Sequence, residues 1–310
     1  MEEAYLKYIW KKALSLLLFC WLLSHFSLAQ YKEDYPDTLN KAKLRKAILT
    51  ESVSYAAGLS FLHFIWYKDT PRVPFHYYDD SKGYLQIDKA GHAFTAYRES
   101  YAFYHGLRKA GVNKKKALLY GGSMGLIFQT PIEIFDGMYE GWGFSWSDMA
   151  ANTFGSALFI GQELLFDEQL ILMKFSYAPS PYAAYYPPLG ENPIQQFFYD
   201  YNGHTYWLSA NMNSTFGTDI FPDWLNFACG YGANGMLREF DNPSYYRGEA
   251  LPDFTRNRQF LFSLDVDFTR IPTDKKWLKT VFRGLNMVKV PFPAFEYSSE
   301  NGLQFKPFYF

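Results

Sequence analysis

Cysteine is nearly absent: the chain holds only Cys20 and Cys229. Cys20 lies in an amino-terminal apolar run, and removal of that run leaves Cys229 alone, which excludes an intramolecular disulfide even in an oxidising compartment. A lone thiol in an expected strand reads as a small packed hydrophobe. Excess charge is absent too. Lys+Arg 30 against Asp+Glu 31 gives a formal net charge of -1, so there is no basic stripe for nucleic acid and no nucleic-acid partner is expected. Mean hydropathy is only -0.23, too low for a polytopic inner-membrane protein. Catalytic signatures are missing as well: there is no serine nucleophile elbow, no Cys–His pairing, no phosphate loop and no two-histidine metal motif.

What the chain has in abundance is aromatic rings. Phe 30, Tyr 26 and Trp 8 make up 21% of the residues. Aromatic richness at moderate hydropathy fits an outer-membrane or interfacial protein, where Tyr and Trp sit at headgroup level and strands alternate polar with apolar. An aromatic-packed soluble core is the alternative.

Residues 1–29 have the order of a secretory signal. Lys7, Lys11 and Lys12 form the basic region, Ala13 to Leu23 the apolar run, and Ser27-Leu28-Ala29 the small-residue cleavage site. The run is too short to span a bilayer alone; an uncleaved anchor is the competing reading. Cys20 is flanked by Phe19 and Trp21, where a lipid-attachment site wants small residues. An exported protein of the periplasm or outer membrane of a Gram-negative bacterium is expected.

The chain is organised around Asp88 to Phe166, three apolar helical stretches that each carry a polar stripe. In the first, Asp88, His92, Thr95 and Glu99 fall on one side of a helix. The second carries Gln129, Glu133 and Asp136, and its Pro131 is expected to bend it. The third opens at Ser145 as N-cap, with Asp148 and Asn152 on one side. Polar groups on otherwise apolar helices face either solvent or one another. His92, Glu133 and Asp148 are therefore expected to meet, with Asp88, Gln129, Asp136 and Asn152 around them, and small residues at Gly91, Gly125, Ala151 and Gly155 allow the close approach. A local cap is the plain alternative for Asp148.

The order Asp88-Lys-x-x-His92, Pro131-Ile-Glu133-Ile-Phe-Asp136-Gly137, then Gly143-Phe-Ser145-x-x-Asp148-x-x-Ala151-Asn152-x-x-Gly155 resembles the YfiM-like family, a domain of unknown function of predicted periplasmic lipoproteins. The same skeleton more distantly resembles VanZ-like membrane proteins. The resemblance covers about 80 of 310 residues. It implies an envelope location and brings no catalytic mechanism.

Before this core, Lys41 to Tyr67 reads as a helix with a basic start and with Glu51 and His63 inside its apolar length. It either lines the bundle or lies on a bilayer surface. After the core, Pro179, Pro181, Pro187, Pro188 and Pro193 mark 176–203 as a linker. Beyond it the period becomes two. Phe260, Phe262, Leu264, Val266 and Phe268 share a face opposite Ser263, Asp265, Asp267 and Thr269, which reads as a strand with its polar face wet. The expected fold is α+β: a bundle of about four helices over 30–175, then an antiparallel β region over 204–310 that forms either a partial sheet on the helices or a partial barrel.

Two functions fit. The first is a non-enzymatic envelope binding or scaffold protein with membrane lipid or an envelope protein as partner. The second is a hydrolase or transferase for a lipid or cell-wall substrate, with His92 and Glu133 as acid and base and Asp148 beside them. A metal site from His92, Glu133 and Asp136 or Asp148 is chemically allowed, but one histidine without ligand spacing gives no motif, so no metal is expected. The cofactor is unassigned and the oligomeric state is open.

Overall fold

The computed structural model describes residues 35–310; the expected signal segment and Cys20 lie outside them. The chain folds as an α+β protein. Helices α1 (Lys41–Leu62), α2 (Ile87–Lys109), α3 (Lys114–Ala117), α4 (Met124–Asp136) and α5 (Trp146–Phe166) come first. An antiparallel sheet follows, built of β1 (Ile171–Tyr177), β2 (His204–Asn211), β3 (Leu225–Asn234), β6 (Asn257–Val266), β7 (Phe292–Ser298) and β8 (Gly302–Tyr309) in that spatial order. A small hairpin, β4 (Tyr245–Tyr246) with β5 (Glu249–Ala250), stands apart. Three short helices lie among the strands: α6 (Pro193–Tyr199), α7 (Met212–Phe216) and α8 (Lys276–Leu285).

Helix α2 is the axis of the bundle. Asp88 in its first turn and Arg108 and Lys109 in its last complement the helix dipole. Two glycines let its neighbours touch its backbone. A Cβ on Gly125 of α4 would lie 1.9 Å from the Ala96 carbonyl oxygen, and one on Gly155 of α5 would lie 2.1 Å from that of Ala93. Gly91 does a different job from the one expected, because it faces Tyr206 of the sheet. Tyr97, Tyr104, Phe159 and Met173 fill the core between α2, α5 and β1. Buried Arg98 donates to the carbonyls of Met173 and Asn286, so it pins α2 to the sheet.

Three boundaries differ from the sequence reading. The helical part ends at Phe166 and Ile171–Tyr177 is already strand β1, paired along its length with β2. The 176–203 segment is short helical turns packed on the sheet, with Ala183 and Leu189 buried against Leu237. The second core helix is interrupted before α4 begins, by a π-turn at Leu118–Gly122, and Pro131 sits inside α4. Gly121 and Gly122 at that turn press against the backbone of Tyr104 and the side chain of Ile160, a contact that a continuous helix with side chains would not allow.

The sheet also inverts the expected polarity. The cross-strand row Leu208, Cys229, Phe262, Phe295, Phe305 lies on one face, and the row Tyr206, Tyr231, Phe260, Tyr297, Leu303 lies beside it. The helices cover the β1 and β2 end of that face, where Phe94 meets Phe175 and Tyr206. Over β6 to β8 it is bare, and Phe262, Phe295, Phe305 and Leu303 are between 53% and 71% exposed. The opposite face, expected to be wet, is buried. Lys174, Ser209, Asn226 and Asp265 there have no exposure. The sheet curls around them until Tyr309 on β8 reaches Thr205 on β2 at 3.1 Å, and Phe175 bridges to Val288. It stays open, with no strand pairing between β1 and β8.

Candidate functional site

The polar stripes of α2, α4 and α5 converge on one wall of a cavity of about 810 Å³. His92 is the centre. Its Nδ1 lies 3.3 Å from Glu133 Oε1 and 3.3 Å from Asn152 Oδ1. Its Nε2 points the other way, 3.7 Å from Asp148 Oδ1 and 3.9 Å from Asp88 Oδ1. Asn152 Nδ2 donates to Glu133 Oε1 at 3.4 Å, which joins α5 to α4 beneath the ring. The imidazole keeps 17% exposure, while Glu133 and Asn152 have none.

The expected meeting of His92, Glu133 and Asp148 from three helices is thus present, with Asp88 and Asn152 in contact around them. Gln129 is one step away, donating to Glu99 at 2.9 Å. Asp136 also lines the cavity but accepts from the Tyr67 hydroxyl. Ser145 does cap α5, accepting from the Asp148 amide at 3.1 Å. The Asp148 carboxylate, however, lies against Lys89 and His92, so the residue is more than a helix cap.

Two members escape sequence patterning. Lys89 Nζ lies 2.7 Å from Asp80, 3.0 Å from Asp88 and 2.7 Å from Asp148. Asp80 comes from the loop before α2, where Ser145 and Ser147 donate to it at 2.6 and 2.7 Å. A loop residue has no periodicity to betray it, and Lys89 lies one position off the stripe. The turn that delivers α2 to the cluster is itself unusual: Tyr84, Leu85 and Gln86 all have positive φ. Left-handed conformations cost non-glycine residues on the order of 1 kcal/mol each. The Tyr84 amide donates to the Glu239 carbonyl and the Tyr231 hydroxyl to the Leu85 carbonyl, which holds them there.

Electrostatically the cluster has more carboxylates than cations. Burial raises Glu133 to about 8, Asp136 to about 7 and Asp148 to about 6. Burial raises Glu99 to about 8. Burial alone would lower His92, but Asp148, Asp88 and Glu133 outweigh it and raise the ring to about 9. Burial works against Lys89 in the same way, and the carboxylates of Asp88 and Asp148 raise it. Asp80 goes the other way: bonds from Lys89 and Ser145 overcome its burial and hold it at about 2. Such a group of perturbed carboxyls around one imidazole, in a cavity wall, can hold a proton or a cation and release it to a ligand.

The rest of the cavity is apolar, walled by Leu59 and Leu62 of α1, Phe94 and Phe103 of α2, Phe128 of α4 and Phe198 of α6. All the cluster residues fall between positions 80 and 152, and that stretch has a match. Residues 76–161 match the family model DUF2279. Its description is predicted periplasmic lipoprotein, which agrees with an exported envelope protein. The DUF2279 segment runs from the loop carrying Asp80 through α2 and α4 into α5, so it contains His92 and every charged neighbour described above. No curated protein and no solved structure matches the chain significantly.

Proposed function

We propose that the protein is a non-enzymatic binding protein of the envelope that lies against the outer membrane and takes an amphiphilic lipid into its cavity. The observation that carries the membrane reading is the inverted sheet, with Lys174 and Asp265 inside and the Phe262, Phe295 and Phe305 row outside. In water that arrangement wastes the hydrophobic effect; against hydrocarbon it uses it. Moving each half-exposed ring or branched chain out of water contributes roughly 1 kcal/mol. An open sheet cannot cross the hydrocarbon, because its edges would leave backbone groups unsatisfied. Apposition of one face fits better than spanning. Helix α1 adds a second contact: with the π-turn His63–Tyr67 that continues it, it is long and apolar enough to cross a membrane by length and composition, the two expose Ile48, Leu49, Val53 and Phe64, and the first turns carry Lys41, Lys43, Arg45 and Lys46.

The cavity volume lies in the range of small-molecule sites. An acyl chain would lie along Leu59, Phe103 and Phe128, with its head group at Lys89 and His92. Co-sedimentation with phosphatidylethanolamine–phosphatidylglycerol vesicles tests the reading. Binding that survives high salt, and that falls on Phe262→Glu with Phe305→Glu, supports it; protein left in the supernatant at every lipid concentration overturns it.

A second reading is favoured by the His92–Glu133 contact: a hydrolase or transferase in which the carboxyl orients the imidazole and Nε2 faces the cavity as acid or base. It requires turnover of a lipid or cell-wall substrate that is lost in Glu133→Gln.

A further inference from the structure

We infer that Asp88, His92 and Asp148 form a binding site for a divalent transition cation of the zinc or manganese type. Asp88, His92 and Asp148 each offer one ligand atom within 4.8 Å of the other two, and His92 Nε2 faces Oδ1 of both aspartates. One imidazole and two carboxylates, with a fourth position open to the cavity, make a donor set suited to zinc or manganese. In a zinc site bonds of about 2.0 to 2.2 Å put neighbouring donors roughly 3.3 to 3.5 Å apart. The present separations of 3.7 and 3.9 Å from Nε2 need only a small contraction, and the two aspartate oxygens, within 4.8 Å, close on the cation with them.

Two further observations point to a ligand there. Asp148 is 4% exposed, and its Oδ1, ion-paired to Lys89 Nζ at 2.7 Å, meets no hydrogen-bond donor in good geometry. That oxygen is the one turned toward His92 Nε2. Glu133, with no exposure, likewise has an Oε2 without a partner. The second observation is the orientation of the ring. A metal-bound histidine generally gives its other N–H to a carboxylate or carbonyl, which fixes the tautomer. His92 Nδ1 has Glu133 Oε1 and Asn152 Oδ1 for that purpose, which turns Nε2 toward the two aspartates. Lys89 binds Asp88 through Oδ2 and leaves Oδ1 facing the ring, but it holds Asp148 through Oδ1 at 2.7 Å, so a cation shares that oxygen with the ammonium. Lys89 and Asp80 then serve as the outer layer that positions the two aspartates.

The site does not depend on lipid binding, and its test is separate. Purified protein, stripped with chelator and dialysed, is titrated with zinc and with manganese by calorimetry. One site per chain in the micromolar range or tighter is expected, weakened at least 100-fold by Asp88→Asn or His92→Ala and about 10-fold by Glu133→Gln, which alters only the support of the ring. Should the ligand variants fail to fold, wild-type protein with labelled histidine decides: zinc should shift the Nε2 resonance of His92. No stoichiometric binding, an unmoved His92 resonance, or equal affinity in folded Asp88→Asn overturns the inference.

Discussion

Replacing Lys174 by methionine tests the polarity of the sheet from the inside. Lys174 Nζ lies 2.8 Å from Asp265 Oδ2 with both side chains fully buried, and it donates to the Val266 carbonyl at 2.7 Å. Removing one partner of a buried pair costs about 3 to 5 kcal/mol, because the other charge is left without compensation. Here the lower end is expected. Asp265 keeps the hydroxyl of Ser209 at 2.7 Å and the Val290 amide at 3.2 Å, and Lys289 stands close enough to feel its charge. Adding Asp265→Leu removes the stranded carboxylate, while Ser209 retains Asn226 as a partner at 3.0 Å. The double variant should therefore be more stable than the sum of the single losses by about 2 kcal/mol. Urea titration followed by circular dichroism measures all corners of the cycle. A loss below about 1 kcal/mol for Lys174→Met would mean that the lysine reaches water, and the inside-out sheet would fall with it.

Gly125→Ala should destabilise strongly, by about 3 kcal/mol, because its Cβ would sit 1.9 Å from the Ala96 carbonyl oxygen, which is helix backbone and cannot swing away; a melting temperature within a degree of wild type would contradict the packing. His204 should make the protein acid-sensitive. Burial lowers it to about 4, so the unfolded chain takes up its proton near pH 6.5 while the folded one does not. Its share of stability is present above that pH and is lost as pH falls toward 4, at most about 3 kcal/mol. The stability difference between wild type and His204→Gln should carry that slope, and a flat difference between pH 7 and 4 would refute it. Tyr55→Leu should loosen α1, since the ring stacks on Phe128 at 3.9 Å and its hydroxyl donates to the Phe128 carbonyl; faster hydrogen exchange in 41–62 with the rest unchanged is the expected readout.

The helical core was legible because its signals are local. Ser145 and Asn113 cap helices as their types suggest, and the stripe from Asp88 to His92 can only be satisfied by facing another polar stripe or solvent. Lys89 and Asp80 were not legible, since they enter the cluster through tertiary packing. Strand β1 escaped because Ile171 to Tyr177 is buried on both faces, by helices on one side and by the curl of the sheet on the other, so no alternation marks it. A period of two separates the faces of β6 but does not say which one meets water. Hydrophobicity makes Phe260, Phe262 and Leu264 the inner face by default; the structure puts Asp265 inside because Lys174, on a strand far away in sequence, arrives to pair with it.

The most direct test of membrane apposition is the depth of the bare sheet face. Spin labels placed singly by Phe262→Cys and Phe305→Cys, in a background where Cys229 is serine, report collision with oxygen and with a water-soluble nickel chelate. On addition of vesicles, both positions should gain oxygen access and lose nickel access, while a label at Lys115, on the short helix α3, should stay open to nickel. Labels at 262 and 305 that remain open to nickel with vesicles in excess would contradict the account.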